Sequence, residues 1–334
     1  MTVPDASGAL QTDNRVAVIL VNYHSEKYLD ACLAAVARQT FQPHRLLVVD
    51  NGSNAERLGE VLQRYPHVEL LKMPSNVGFA PANNRAVETI KDCRWIALLN
   101  VDTLADENWL NALIQVAKAY PECAIFGSLL VMANSPGLID GTGDVCHSSG
   151  RHWRRDHGAR TAQMHVSTEG TIAPCGAAAM YRYDAWLDVG GFDEAYVSYD
   201  EDMDLGLRLC LAGYQYRHVP ESVVHHIGSA VTGKCSVYSV YHGERNLVWT
   251  YVKNMPGILF WKYLPQHLLF NLLTVGLFII RGRGLSVLRA KWDALRGLPR
   301  AWRQRRAIQQ NRRVSLREFD ARLAKGMRLL LHRS

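Results

Sequence analysis

The chain has 334 residues, of which 48% are apolar and 21% charged, so it can bury a large core as one or two domains. That composition excludes disorder of the whole chain. The formal net charge is +7, but residues 281–313 alone carry eleven Lys or Arg against one acid, Asp293. The remainder is therefore net acidic, and the overall charge says little about the amino-terminal part.

Residues 1–14 are polar and lack both a basic start and an apolar run, so we expect a flexible tail rather than a secretory signal or membrane anchor. The seven cysteines are odd in number, scattered and never spaced as CxxC, which argues against a disulfide framework and a zinc cluster. A reducing, cytoplasmic location is the expectation.

Short apolar runs alternate with amphipathic stretches over residues 15–132, which is typical of βαβ units in an open, largely parallel α/β sheet. Strands are predicted at Val16–Val21, Leu46–Val49, Val68–Met73, Trp95–Leu99 and Ala124–Met132. Helical spacing predicts one helix after Ser25, which can cap it, and another over Glu56–Arg64.

Segment 133–172 is rich in Gly, Ser, His and Arg and has no clear period, so it is predicted to be a long loop or a short antiparallel excursion. Order returns at Cys175 with the strand-like CGAAAMY. The elements predicted next are a helix near Tyr183–Val189, a turn at Gly190–Asp193, a helix from about Asp200, and strands at Tyr214–Val219 and Ser222–His225.

The composition changes after about residue 240 to Trp, Tyr, Leu, Arg and Lys. Leu268–Ile280 is almost wholly apolar, yet a bilayer span needs ~20 residues, and extending the run back to Ile258 includes Lys262 and Pro265. An interfacial segment is therefore favoured over a spanning one. The predicted organisation is a tail at 1–14, a catalytic domain at 15–235 and a helical, basic, membrane-associating region at 236–334.

Two polar clusters follow predicted strands, Asp50-Asn51-Gly52-Ser53 and Asn100-Val101-Asp102. Ligands of open α/β sheets bind beyond the carboxyl ends of the strands. One carboxylate there could accept a hydrogen bond from a base or ribose, and another could bind a hard cation through oxygen. Each cluster could instead be a turn that caps the next helix. Between the two clusters, Gly78 permits a close backbone approach.

The predicted helix near residue 200 opens with four carboxylates, those of Asp200, Glu201, Asp202 and Asp204. The helix dipole stabilises an acid in the first turn by ~0.3–1 kcal/mol, which accounts for one or two of them. The functional interpretation is a general base that deprotonates a hydroxyl nucleophile. His225 and His226, after a predicted strand, could supply a metal ligand.

Taken together and in this order, these segments resemble family 2 glycosyltransferases with the GT-A fold, especially bacterial rhamnosyltransferase-like members that build cell-surface polysaccharides. The matching stretches are VNYH at 21–24, VVDNGS at 48–53, NVGFAPANN at 76–84, LLNVDT at 98–103, GGFDE at 190–194, YDEDMDLGLRLCLAGY at 199–214 and VVHHIGS at 223–229. The resemblance covers residues 15–230 and implies a Rossmann-like open mixed sheet flanked by helices.

The resemblance also implies roles for individual residues. Asp50 matches the acid that contacts the nucleotide base, and Asp102 matches the last acid of the metal-binding DxD motif. Asp202 matches the catalytic base of the ED motif, beside Glu201, and His226 matches a histidine that joins the metal in some relatives. The positions implied to bind the nucleotide-sugar are Val21, Asn22, Tyr23, Asp50, Asn51, Asn76, Gly78, Asn84 and Asn100. Because Asn100 replaces the first DxD acid, the motif resembles the NPD-type pattern of the rhamnosyltransferase-like branch.

The implied reaction is inverting transfer of a sugar, with Mg²⁺ or Mn²⁺ as the cofactor, and the rhamnosyltransferase-like branch suggests L-rhamnose from dTDP-rhamnose as the sugar. The implied acceptor is a glycan or a polyprenyl-diphosphate-linked sugar at the inner face of the cytoplasmic membrane. Basic residues and the aromatics Trp261 and Tyr263 suit such an interface. An ordinary solvated basic helix packed on the catalytic domain is the alternative for this region.

Two other functions compete with glycosyl transfer. A sugar-nucleotide nucleotidyltransferase would also be α/β, but no Gly-rich basic loop near the first strand is available to hold a triphosphate. A nucleic-acid-binding protein could use residues 281–313, although it would leave the acids at 200–204 without a role. No nucleic-acid partner is therefore expected.

Overall fold

Strands and helices alternate through the amino-terminal part of the computed structural model, which describes residues 14–165, 170–228 and 236–326. The elements are β1 (Val16–Asn22), α1 (Glu26–Ala37), β2 (Arg45–Asp50), α2 (Ala55–Leu62), β3 (Glu69–Lys72), α3 (Phe79–Thr89), β4 (Trp95–Leu99), β5 (Thr103–Ala105), α4 (Trp109–Ala119) and β6 (Cys123–Met132). The five predicted strands are confirmed to within one residue at either end. Most of the predicted tail, residues 1–13, as well as Ser229 and Cys235, lies outside the described residues.

The two predicted helices are also present, but one predicted cap is wrong. The first helix begins after Ser25, yet the Ser25 hydroxyl donates to the Tyr23 carbonyl (2.9 Å) and makes no capping bond to the helix. In the second helix, the Asn54 side chain accepts from the backbone N–H groups of Glu56 and Arg57, both at 3.1 Å. No disulfide joins the cysteines of the described residues.

Segment 133–172 makes a short antiparallel excursion, one of the two structures predicted for it. It contains β7 (Ile139–Gly141), which pairs with β6, and a hairpin of β8 (Asp144–Cys146) and β9 (His152–Arg154). The chain then forms β10 (Ala178–Arg182), α5 (Tyr183–Asp188), α6 (Glu201–Leu211) and β11 (Gln215–His226). The prediction of two strands in the last stretch is wrong: they are one strand, whose register shifts between Val219 and Val223 around Pro220.

The main sheet is mixed, as the resemblance implied, with the strand order β3-β2-β1-β4-β10-β6-β11-β5. β1 pairs in parallel with β2 and β4, whereas β10 runs antiparallel to both β4 and β6. Both faces of β1 are buried, since Val16, Val18 and Leu20 join one apolar cluster and Ala17 and Ile19 join the other. Helices therefore cover both faces of the sheet.

The carboxy-terminal region is helical and consists of α7 (Val237–Asn254), α8 (Gly257–Ile280), α9 (Gly284–Gln310) and α10 (Leu316–Arg322). It shares a core with α6, in which Met203 and Leu207 pack in one apolar cluster with Trp249 and Tyr251 of α7. The Trp249 indole donates to the Ala294 carbonyl of α9 (2.9 Å). Helices α7 and α9 thus complete the packing around the helix that carries the acidic cluster.

Helix α8 is long and apolar enough to cross a membrane, and it is the one helix in the described part of the chain with that property. The helix continues through Pro265 without ending, and only 22% of its most apolar 18-residue stretch is buried in the fold. Trp261 is 60% exposed, as the interfacial prediction requires. Tyr263 is buried and donates to Asp320 (2.6 Å), so its predicted place at an interface is wrong.

The basic stretch at 281–313 is divided between structural and exposed side chains. Lys291 pairs with Glu244, Arg300 with Asp193 and Arg313 with Asp188, at 2.6, 2.8 and 2.9 Å. Arg305 is buried and donates to the carbonyls of Val252 and Met255. The stretch is therefore not a uniformly solvated face.

Candidate active site

A cleft of about 850 Å³ opens at the edge of the sheet where the carboxyl ends of β1, β2, β4 and β11 meet. Of the residues predicted from the sequence, those lining it are Val21, Tyr23, Asn51, Asn76, Gly78, Asn100, Asp102, Glu201, Asp202 and His226. Residues up to 205 positions apart in the sequence, Val21 and His226, are thus brought together. Asn22, Asp50 and Asn84 do not line the cleft.

Three residues after β2 and before α3 form a fixed hydrogen-bonded wall. The Asn51 amide donates to the Asn76 side-chain oxygen (3.1 Å), which also accepts from the backbone N–H of Gly78 (3.0 Å). Gly78 has φ +99°, and a Cβ there would lie 2.7 Å from the Val197 side chain. The glycine is therefore required both by conformation and by close packing.

The predicted residues that do not line the cleft lie behind its wall and form hydrogen bonds that stabilise the surrounding turns. Asp50 is buried and accepts from the backbone N–H of Ser53 (2.8 Å), and the Asn22 amide donates to the Ser53 hydroxyl (2.9 Å). The Asn84 amide donates to the Phe192 carbonyl (2.8 Å), and its oxygen accepts from the Phe192 N–H (3.0 Å). Contrary to the expectation of a position near the sugar, Asn84 builds the turn at 190–194.

Strand pairing brings Asp102 and His226 together. His226, the last residue of β11, pairs with Thr103 of β5, the residue after Asp102. The His226 Nε2 atom lies 3.6 Å from an Asp102 carboxylate oxygen, and its Nδ1 atom lies 2.7 Å from Asp140. Although burial lowers the pKa of His226, hydrogen bonding to Asp102 and Asp140 raises it above its usual value. The site therefore favours positive charge between these two carboxylates.

His225 points away from this pair. Its Nε2 atom lies 3.0 Å from the Asp106 carboxylate, and the side chain does not line the cleft. Of the two adjacent histidines, only His226 is positioned to act with Asp102. Within residues 14–165, 170–228 and 236–326, no three His, Cys, Asp or Glu side chains form a preassembled metal cluster.

Asp202 lies in the first turn of helix α6, and its carboxylate lines the cleft. One oxygen accepts from the backbone N–H of Gly176 (2.9 Å) and the other from its neighbour Met203 (2.8 Å). A Cβ on Gly176 would lie 3.1 Å from the Asp202 oxygen, so a glycine leaves room for this approach. Charge-assisted bonds from backbone N–H groups stabilise a carboxylate, so Asp202 is anchored in a fixed orientation.

The other acids of the cluster have different surroundings. Asp204 is fully buried and pairs with Arg208 (2.8 Å) and with Lys253 of α7 (2.9 Å). Asp200 pairs with His152 of the hairpin (3.1 Å). Four adjacent carboxylates are therefore tolerated because two of them have cationic partners that lie far away in the sequence.

Two carboxyl groups beside Asp202 in the cleft have raised pKa values. Burial, reinforced by the negative charge of Asp202, raises the pKa of Glu201 well above its usual value. The same two causes raise the pKa of Asp144 to about 7. Burial lowers the pKa of His152, but the Asp200 carboxylate outweighs burial and raises it to about 9. A carboxyl group that takes up a proton no longer repels its neighbours, so the raised pKa values of Glu201 and Asp144 lower the electrostatic repulsion within the cleft.

The segment before α6 has a strained backbone. Val197, Tyr199 and Asp200 have φ values of +66°, +69° and +66°, which non-glycine residues rarely adopt. The Asn246 amide of α7 donates to the carbonyls of Ser198 (3.0 Å) and Tyr199 (2.8 Å) and holds the segment in place. Such strain persists only where surrounding contacts maintain it, and it concentrates at functional sites.

The β8–β9 hairpin contributes a wall of the cleft that was not predicted from the sequence. Asp144, His152, Trp153 and Arg154 line the cleft there. The signal available in the sequence was the density of His and Arg in an aperiodic segment, which indicated a loop facing a substrate but did not identify particular residues. The partners of Asp140, on the neighbouring strand, were equally inaccessible to sequence reasoning.

Similarity to known proteins agrees with this geometry. The profile of the family described as Glycosyl transferase family 2 matches residues 17–189. An N-acetylglucosaminyl-diphospho-decaprenol L-rhamnosyltransferase of Mycobacterium tuberculosis is 30% identical over 240 residues, covering 65% of this chain and 77% of that protein. A pre-mycofactocin glycosyltransferase of the same species is 30% identical over 183 residues, covering 54% of this chain and 37% of that protein.

Solved structures share the fold. GalNAc-T7 with UDP, GalNAc and Mn²⁺ superposes with a TM-score of 0.58 at 16% identity, covering 72% of this chain and 48% of that one. The mannosyltransferase PcManGT of Pyrobaculum calidifontis, in complex with GDP-Man and Mn²⁺, has a TM-score of 0.52 at 15% identity, covering 93% of this chain and 87% of that one. With the profile match, these similarities establish a GT-A fold with a helical carboxy-terminal region, and the chain belongs to glycosyltransferase family 2.

Proposed function

We propose that this glycosyltransferase moves a sugar from a nucleoside diphosphate to a hydroxyl of a lipid-linked glycan, with inversion at the anomeric carbon. The observation that carries the proposal is the Asp202 carboxylate, which backbone N–H groups hold in the same cleft as the Asp102–His226 pair. A base and a candidate cation site thus share one cavity. Both suit inverting transfer, because the base can take the proton of the attacking hydroxyl and a cation can neutralise the departing diphosphate.

The nucleotide would bind at the wall formed by Asn51, Asn76 and Gly78. Their amides and backbone are already fixed by mutual hydrogen bonds, so little ordering remains to be done when the donor binds. Val21 and Tyr23 lie at the end of β1 beside this wall and line the cleft. Asp50 would act from behind, by fixing the turn that presents Asn51.

The residues present fit a divalent cation. His226 is oriented by Asp140 through Nδ1, which leaves Nε2 directed toward Asp102, and this carboxylate–histidine arrangement is common behind metal ligands. Asn100, which lines the cleft two residues before Asp102, offers a further neutral oxygen. Mg²⁺ commonly uses one or two protein carboxylates and completes its shell with phosphates and water. When bound, the cation would neutralise the charge of the departing diphosphate.

The chain's own groups would perform the proton transfer. Asp202 accepts the proton of the acceptor hydroxyl as that oxygen attacks the anomeric carbon from the face opposite the leaving group. Burial raises the pKa values of Glu201 and of Asp144, the latter to about 7, so both carboxyl groups hold a proton more readily than an ordinary acid and can donate a hydrogen bond when protonated. The Trp153 ring of the hairpin offers an apolar face in the cleft for a sugar ring.

The choice of L-rhamnose and of a polyprenyl-linked acceptor rests on the relative that is 30% identical. The mixed apolar and basic surface of α8 and α9 supports association of the enzyme with the inner face of the cytoplasmic membrane. Exposed side chains there include Trp261, Leu272, Leu277, Ile280, Leu285, Leu288, Trp292, Arg283 and Arg289. Basic side chains near an anionic leaflet contribute ~1 kcal/mol each.

Thermal unfolding with UDP, GDP and dTDP, each with and without Mn²⁺, tests donor binding and its metal dependence. At ~100 times its dissociation constant, a ligand adds ~2.7 kcal/mol to native stability. We expect at least one nucleotide to raise Tm, with a larger rise in Mn²⁺. Asp102→Ala should abolish the Mn²⁺-dependent part, whereas Asp106→Ala, which removes a nearby acid outside the cleft, should keep it. If all three nucleotides leave Tm unchanged, the proposed donor site is wrong.

A further inference from the structure

A second cavity, of about 740 Å³, lies between helices α7, α8 and α9. Its walls are mainly apolar and include Val248, Leu264, Leu268, Leu295, Leu298 and Trp302. Its floor is formed by Tyr251 and His267, whose rings stack at 3.9 Å. We call this cavity the helical groove. None of the residues predicted from the sequence to act in catalysis lines it.

The floor of the helical groove is uncharged. His267 is buried, and its Nδ1 atom lies 2.7 Å from the Ser149 carbonyl. Burial lowers the pKa of His267 to about 4, so the ring is neutral near pH 7. A neutral, largely apolar concave surface favours a hydrocarbon chain, since every CH₂ group that enters the groove is removed from water.

Cationic side chains lie at one side of the helical groove. Arg303 and Arg306 line it, are exposed, and take part in no ion pair within the part of the chain that the structure describes. Lys291 also lines it, although its ammonium group pairs with Glu244 (2.6 Å). An apolar trough beside unneutralised guanidinium groups is complementary to a hydrocarbon chain that ends in phosphate.

The helical groove adjoins the active-site cleft through the β8–β9 hairpin. Gly150, in the hairpin loop, packs so closely that an added Cβ would lie 2.9 Å from the Tyr251 ring and 3.3 Å from His267. Two residues further on, His152 and then Trp153 line the cleft. The Arg151 guanidinium lies over both Trp153 (5.4 Å) and Phe270 of α8 (5.8 Å). One short hairpin therefore touches both cavities.

From this juxtaposition we propose that the helical groove binds the polyprenyl chain of a phosphate-bearing lipid, with Arg303 and Arg306 attracting its phosphates. The proposal rests on the proposed function, since it assigns the lipid part of the acceptor to a place next to the cleft that receives its sugar. A concave groove encloses a single chain, whereas a bilayer surface meets a convex face. The exposed side chains of α8 and α9 contact the bilayer surface. The groove binds a single lipid molecule whose chain has left the bilayer.

Binding of radiolabelled decaprenyl phosphate to the full-length protein in detergent tests the proposal. Leu298→Trp places a bulky indole ring in the groove and should weaken binding at least tenfold. The exposed double variant Arg303→Gln/Arg306→Gln should weaken it several-fold while folding normally. Leu187→Trp adds the same ring at an exposed site on α5, which is 55% exposed, and should bind like wild type. Thermal unfolding of each variant verifies the fold.

Competition separates this proposal from the neighbouring ones. Inorganic pyrophosphate should displace decaprenyl phosphate only weakly, and flotation with phosphatidylglycerol vesicles should be the same for Leu298→Trp and wild type. Equal decaprenyl phosphate binding by wild type, Leu298→Trp and the double arginine variant overturns the proposal, as does full displacement by pyrophosphate. Loss of flotation in Leu298→Trp would make the groove part of the bilayer-docking face instead. The nucleotide-induced rise in Tm reports separately on the proposed function.

Discussion

Replacing Asp202 with Asn is expected to lower turnover by about 10²–10⁴-fold, the usual contribution of a positioned general base. The amide is nearly the same size but cannot accept the proton of an acceptor hydroxyl. Asn keeps one of the two oxygens that accept from the N–H groups of Gly176 and Met203, so the substitution loses one hydrogen bond, costs ~1 kcal/mol of stability and leaves the protein folded. Turnover is measured with saturating donor and acceptor.

Asp184→Asn is a matched control, since Asp184 is also an acid in the first turn of a helix but is exposed on α5. It should keep wild-type turnover. The nucleotide-induced rise in Tm should survive in both variants, which separates loss of chemistry from loss of binding. Turnover of Asp202→Asn within about threefold of wild type would remove Asp202 from the role of base, because a catalytic base contributes at least ~10²-fold.

Replacing Lys253 with Met is expected to lower the free energy of unfolding by at least ~2 kcal/mol, because a hydrogen bond to a charged group contributes ~1.5–3 kcal/mol and two buried carboxylates each lose one of their two cationic partners. The Lys253 side chain is 1% exposed and lies 2.7 Å from Asp193 and 2.9 Å from Asp204. Asp193 begins the turn that leads into the strained segment, and Asp204 lies in α6. One lysine of α7 thus connects two elements of the active site to the carboxy-terminal helices.

Urea unfolding of Lys253→Met measures the loss, with Lys262→Met as the matched control. Lys262 is 53% exposed and lies 3.6 Å from Asp320, so its removal should change stability far less than the removal of Lys253. Equal stabilities of the two variants would show that the α6–α7 ion pairs do not hold the helices together. A large loss would mean that residues 15–235 do not form an independently stable domain.

Much of the fold could be predicted from sequence because it depends on local periodicity. Short apolar runs between amphipathic stretches located the five strands at 15–132, and the register of a parallel sheet then required Asn51 and Asn100 to lie at one edge. The order in which β10 and β6 enter the sheet depends on long-range pairing, which no local pattern encodes. The single strand β11 was divided in two because Pro220 resembles a strand end when only the sequence is considered.

The candidate site was predictable where a side chain follows a strand or begins a helix, as Asp102 and Asp202 do. It was not predictable where a partner is distant. Nothing near Asp204 in the sequence indicates that Lys253, 49 residues later, neutralises it. The family resemblance implied that Asn84 binds the nucleotide-sugar, whereas in the structure its amide group holds the turn at Phe192.

The configuration of the sugar in the product tests the central claim most directly. A base at Asp202 that activates the acceptor oxygen for direct attack requires one displacement, so the anomeric carbon must invert. NMR analysis of the disaccharide linkage formed by the wild-type enzyme, with the donor selected by the nucleotide panel, is expected to show the anomer opposite to that of the donor. A product that retains the donor's anomeric configuration would contradict the account.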